Sequence, residues 1–150
     1  MIDENDRAIL RLLQNDVTLS MEALAARLSM SANTVWRRIK RLQTDGVIAR
    51  RVALVDPAKV GLDLTVFVTV RTTDHSSEWL EQFGSATQAM PEIMEFYRLA
   101  GDTDYLIKLM IRDVADYDRV YKKLIASVPI ADVTASFAME TIKNQTALPV

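Results

Sequence analysis

Three residues, Ser29-Met30-Ser31, separate two stretches of helical hydrophobic spacing, and so short a break leaves room for a tight turn and nothing longer. Before it, Ser20 is placed to cap the segment MEALAARL, with Leu19 stapling onto Leu24 and with Leu24, Ala25 and Leu28 facing inward. After it, Ser31 caps a helix with Val35, Ile39 and Leu42 on one face. Asn33, Thr34, Arg37, Lys40 and Arg41 lie on and around the other. Two short helices joined by a tight turn, the second basic, make a helix-turn-helix.

The basic face carries chemistry. Residues 32 to 51 hold six cations (Arg37, Arg38, Lys40, Arg41, Arg50 and Arg51) against one acid, Asp45, in a chain whose formal net charge is −2. Arginine forks onto phosphates or guanine edges, and polar residues at the start of such a helix reach bases or backbone, where the helix terminus also favours a phosphate. Ser31, Asn33, Thr34, Arg37, Arg38 and Arg41 are therefore the candidate DNA contacts. The plain alternative for an RRxKR run is a solvated helix face, and Arg38, at the edge of the apolar side, can pair with an acid instead. Trp36 is expected to pack against the first helix rather than read a base.

That first helix has Asp3 as its cap, an acidic opening turn from Glu4 to Asp6, and Ile9, Leu10, Leu12 and Leu13 as its buried stripe, ending near Asn15 and Asp16. Beyond the basic helix, Gly46 suits a positive-φ position. The stretch Val47 to Val55 reads as two short strands turning near Arg50, a wing whose Arg50 and Arg51 touch phosphate. Asp56-Pro57-Ala58-Lys59-Val60-Gly61 has the punctuation of a connector, so the domain boundary is placed there: residues 1–61 and 62–150. The first part carries ten Lys or Arg against seven Asp or Glu, the second eight against thirteen, so the two halves suit different partners.

In the second part, Leu64 to Val70 is apolar at almost every position, as in a central strand covered on both faces. A helix from Ser76 to Met90 follows, with Trp79, Leu80, Phe83, Ala86 and Met90 at helical spacing. Strands at Ile93 to Ala100 and Tyr105 to Ile111 flank the hairpin turn Gly101-Asp102-Thr103-Asp104. A helix begins at Asp113 or Asp116 with Tyr117, Val120, Tyr121, Leu124 and Val128 as its stripe, and Val133 to Glu140 is a last strand. The order β-α-β-β-α-β is the ferredoxin-like split unit, making the chain α+β. Phe67, Phe96, Tyr97 and the Tyr117/Tyr121 pair are read as core or dimer interface. The tail from Thr141 to Val150 is compatible with an edge strand or a partner contact.

Other functions find little to build on. The chain has no cysteine and one histidine, His75, read as an exposed residue near a helix cap; disulfides, thiolate catalysis and a Ser-His-Asp set away from His75 are ruled out. No metal-ligand spacing and no glycine-rich phosphate loop is present, so neither a metal nor a cofactor is expected, nor an enzyme. No apolar run approaches the roughly 20 residues of a membrane span, and the start MIDENDRAIL is acidic where a signal peptide would be basic, so a cytoplasmic protein with no membrane partner is expected.

A winged helix-turn-helix followed by a βαββαβ domain resembles the Lrp/AsnC family of transcriptional regulators. The resemblance rests on Ile2 to Leu10, on Leu28-Ser29-Met30-Ser31 leading to Val35-Trp36-Arg37-Arg38-Ile39-Lys40-Arg41-Leu42, and on the exit Gly46-Val47-Ile48. It extends to Gly101-Asp102-Thr103-Asp104-Tyr105-Leu106 and the ending Met139 to Lys143. It implies a regulator that binds double-stranded DNA, dimerises through its C-terminal (RAM) sheets, often assembles to octamers, and responds to a small molecule, usually an amino acid. It also implies an effector site near the turn Gly101, Asp102, Thr103 and Asp104. There an Asp accepts from the ligand ammonium and backbone N–H groups meet its carboxylate, with Thr134 and Ser136 as further polar candidates. Family members often carry Pro early in the recognition helix, where this chain has Ala32-Asn33-Thr34, so operator preference is expected to differ. Two alternatives stay open: an effector-independent architectural DNA binder, and a metabolite-binding protein whose N-terminal domain contacts proteins.

Overall fold

Side-chain caps set where the first three helices begin. In a computed structural model that describes residues 2–150, α1 spans Glu4–Asn15, α2 Met21–Leu28 and α3 Ala32–Thr44. The Asp6 N–H donates to Asp3 Oδ1 (2.8 Å) while the Asp3 N–H donates to Asp6 Oδ2 (3.0 Å), a reciprocal capping box. Ser20 Oγ accepts from Ala23 N–H and Ser31 Oγ from Thr34 N–H, each at 3.1 Å. Ser29 closes α2 in the left-handed region (φ 52°), and this lets the chain reverse in three residues. Ile9, Leu24, Val35, Ile39 and Leu42 form the sealed centre of the three helices.

Gly46 has φ 72°, as its position requires. The stretch after it departs from expectation: residues 47–56 carry no strand pairing, so the wing is an irregular segment rather than a hairpin. The sequence around Arg50, Val-Ile-Ala-Arg-Arg-Val, lacks the Gly, Asn or Asp that a two-residue hairpin turn needs. A 3₁₀ turn, Pro57–Val60, capped by Asp56 and ended by Gly61, makes the connector.

Residues 64 to 137 form β1 (Leu64–Arg71), α4 (Ser77–Gln88), β2 (Ile93–Arg98), β3 (Tyr105–Ile111), α5 (Val114–Ser127) and β4 (Asp132–Phe137). The sheet is antiparallel in the order β2-β3-β1-β4, the ferredoxin-like arrangement, with a bulge between Ile93 and Glu95. Val66, Val68 and Val70 pair with Leu109, Ile107 and Tyr105, and these face the helices. An aromatic cluster seals that side: Phe83 lies 4.8 Å from Trp79 and 5.3 Å from Phe96, and Trp79 Nε1–H donates to Pro129 O at 2.8 Å. Trp79, Phe83 and Met90 are buried as the helical spacing predicts, but Thr87 rather than Ala86 completes the stripe.

The central strand is covered on one face only. Phe67, whose register partners are Lys108 and Ser136, belongs to the other face and is 38% exposed. The expectation of two covered faces is not met within one chain.

Two compact units result: Met1–Leu54 with Ile142–Val150, and Val55–Thr141. The tail adds no edge strand. Gln14 Oε1 accepts from Leu148 N–H (2.7 Å), Gln14 Nε2 donates to Leu148 O (3.2 Å) and Arg11 Nη1 donates to Val150 O (3.0 Å), so residues 142–150 belong to the first unit. No helix among the described residues is long and apolar enough to cross a membrane.

One ion cluster in the second unit has a pH consequence. Asp116, 6% exposed, accepts from Arg112 Nη2 (3.1 Å), Arg119 Nη2 (2.7 Å) and the Arg112 N–H. The Arg112 and then the Arg119 guanidinium hold its carboxyl far below the ordinary carboxylate range. Because the folded value lies below the unfolded one of about 3.9, the contribution is fully present above that pH and is lost as pH falls further. Thermal melts between pH 5 and pH 3 should therefore show a drop in midpoint that is smaller in Asp116→Asn. Equal drops would remove this cluster from the acid sensitivity.

Candidate nucleic-acid interface and effector turn

The interface is built on α3. Burial of Val35, Ile39 and Leu42 turns Asn33, Thr34, Arg37, Lys40 and Arg41 to solvent, and Thr34, Arg37, Arg38 and Arg41 line a basin of about 340 Å³. Ser31 Oγ is spent on the cap, with the Thr34 hydroxyl 2.8 Å away. Arg50 and Arg51 are exposed on the irregular segment after α3. Trp36 is 54% exposed and lies outside the buried core of the three helices; it sits one residue past Val35, off the face defined by residues 35, 39 and 42.

The arginines divide. Arg38 Nη1 donates to Asp3 Oδ2 (2.7 Å) and Asp6 Oδ1 (2.8 Å), and Arg41 Nη2 donates to Asp6 Oδ2. Arg37, Lys40, Arg50 and Arg51 form no ion pair among the described residues. Hydrogen bonds from Arg38 and then from the Asp6 N–H lower the Asp3 pKa, and the same carboxylates raise that of Arg38. Asp6 is fully buried, whereas the sequence marks it only as part of an acidic first turn. The available signal was spacing: residue 6 stands three and four positions before Ile9 and Leu10, on the buried stripe.

The second candidate site is the turn between β2 and β3. Gly101 takes φ 149°, and Asp104 ties the turn to the end of β1: its N–H donates to Val70 O (3.1 Å), its Oδ2 accepts from Thr72 N–H (2.8 Å) and its O from Leu99 N–H (2.8 Å). Its Oδ1 is 4.0 Å from His75 Nδ1, an approach that no local spacing in the sequence indicates. Asp102 is exposed. Thr134 and Ser136 lie across the sheet on β4, in register with Thr69 and Phe67 on the open face, outside the turn's hydrogen bonds.

Comparison with known proteins decides the family. Residues 2–49 match the winged helix-turn-helix DNA-binding profile, and residues 65–148 match the Lrp/AsnC ligand binding domain. The chain belongs to the Lrp/AsnC family. Among characterised relatives in this family, the glutamate uptake regulatory protein of Zymomonas mobilis is 50% identical over 99% of the chain and 90% of that protein. The DNA-binding transcriptional activator DecR of Escherichia coli is 48% identical over 100% and 99%. The crystal structure of an AsnC family transcriptional regulator from Agrobacterium tumefaciens superposes with a TM-score of 0.95 at 50% identity, covering 99% of this chain and 97% of the other. A further solved structure at 29% identity and TM-score 0.93, covering 99% of this chain and 97% of the other, is a transcriptional regulator from Neisseria meningitidis in complex with L-Met.

Proposed function

We propose that this Lrp/AsnC protein is a sequence-specific DNA-binding transcriptional regulator that senses an amino acid or related metabolite. The observation that carries the reading is the exposed polar and basic face of α3, turned away from a sealed three-helix core, with Arg37 in no ion pair among the described residues. Inserted in a major groove, that face offers a guanidinium fork to base edges and phosphates, and Asn33 and Thr34 to neighbouring bases. The open face of the sheet supports pairing of two copies, which presents two such helices to one duplex. The operator is then roughly palindromic, with half-sites about one helical turn or a multiple apart.

The effector is read at the turn. Asp104 Oδ2 is committed to Thr72, so Asp102 and the remaining Asp104 oxygen are the acceptors for an ammonium, with N–H groups near Gly101 facing a carboxylate. The L-Met bound by the Neisseria relative favours this chemistry over an architectural role without an effector. Effector binding between dimers changes their association or angle and hence the spacing of the reading heads, a coupling worth about 1–3 kcal/mol and reciprocal with DNA. Octamers are the assembly on which such coupling acts.

A thermal-shift screen of the full chain against the twenty amino acids and common keto acids tests the effector. A ligand at about a hundred times its Kd adds roughly 2.7 kcal/mol, a rise of several degrees, and Asp102→Ala should reduce it. No shift with any compound, in protein still retained on DNA, would leave the architectural reading.

A further inference from the structure

Resting on the DNA-binding reading, we propose that Asp6 is a specificity-determining residue: it withholds Arg41 from non-specific phosphate contacts and yields it only to a fitted site. The geometry is a buried carboxylate with three donors. Asp6, 0% exposed, receives the Asp3 N–H, one guanidinium from Arg38 and one from Arg41. A carboxylate removed from water needs its full set of donors, and taking one away leaves charge uncompensated. Asp6 is fixed by the capping box of α1 and by its burial, so it cannot follow Arg41 outward.

Arg41 is different. Its side chain is 48% exposed, against 23% for Arg38, and it lines the same basin as Thr34 and Arg37. A swing of the guanidinium towards DNA is therefore open to Arg41, at the cost of the Asp6 partnership. An exposed phosphate met in random orientation offers a weak, screened ion pair and does not displace a buried carboxylate. A guanine edge or a well-placed phosphate engaging both prongs of the fork does. On random DNA, then, Arg37, Lys40, Arg50 and Arg51 supply the attraction while Arg41 stays with Asp6.

The test is the salt dependence of binding to a random-sequence duplex. Each phosphate neutralised contributes about 0.9 to the slope of log K against log salt. In Asp6→Asn, Arg41 is freed and the slope should steepen by about 0.9, with affinity for random DNA rising several-fold at low salt. In the double variant Asp6→Asn/Arg41→Gln the added slope should vanish. A folded Asp6→Asn with the wild-type slope, or a double variant that keeps the steeper one, overturns the proposal.

A measurement on unaltered protein guards against misfolding of the variant. The guanidinium NMR signals of Arg41 should be unmoved by a random duplex that shifts those of Arg37, and should move with an operator selected from a random pool. Equal shifts of both by random DNA would refute the withholding. If the wild-type chain shows no salt-dependent retention on any DNA, the DNA-binding reading fails instead, which separates the two.

Discussion

Arg37→Ala should lower affinity for a selected operator by roughly ten- to a hundredfold while leaving the thermal midpoint nearly unchanged. Loss of a bidentate base contact is worth about 1–3 kcal/mol, and Arg37 is exposed with no ion pair among the described residues, so nothing in the fold depends on it. Arg38→Ala should behave in the opposite manner. Its guanidinium spans Asp3 and Asp6, and removal leaves buried Asp6 Oδ1 without a donor, so the melting midpoint falls before any DNA contact is considered. Gel-shift titration beside a melting curve for each variant separates the two arginines. Operator affinity unchanged in Arg37→Ala would move the recognition face elsewhere.

Adjacent arginines with different roles show where local reading stops. Periodicity places Arg37 and Arg38 about 100° apart on one helix, but says nothing of what stands opposite. The partners of Arg38 and Arg41 on Asp6 lie 32 and 35 residues away. By contrast, features written within a few residues were legible. Tyr105–Ile111 is the strand its composition implies, and Asp3, Ser20 and Ser31 cap the helices they precede, whereas Ser76, expected inside its helix, caps it. The turn between β2 and β3 was legible as a turn because Gly101 and its neighbours are turn residues. That Asp104 Oδ2 closes onto Thr72, bringing His75 near, depends on how β1 and β3 pair. The docking of the tail is illegible for the same reason, since Gln14 grips Leu148 through a carboxamide no periodicity points to.

Phe67→Asp is the second large effect, and it acts on the face of the sheet that the helices leave open. On that face Phe67 stands on the central strand with Thr65 and Thr69 beside it along β1. Leu106 and Met110 are on β3 and Tyr97 on β2, with the Lys108–Glu95 ion pair (2.9 Å) among them. Solvated sheet faces are normally polar, and a half-exposed Phe at the middle of one is what a second sheet would cover. Stacking two copies places Phe67 at the centre of the interface, where a carboxylate without a partner costs several kcal/mol. Within one chain the cost is small, because Val66 and Val68, not Phe67, pack into the core. Sedimentation at micromolar concentration is therefore expected to show a dimer or larger for the unaltered chain and a folded monomer for the variant. Operator affinity should fall further than for any single base contact, since a linked second reading head multiplies binding by about 10²–10⁴. A variant that still sediments as the unaltered chain does would place the dimer contact on another surface, and the palindromic operator would then need a different two-fold axis.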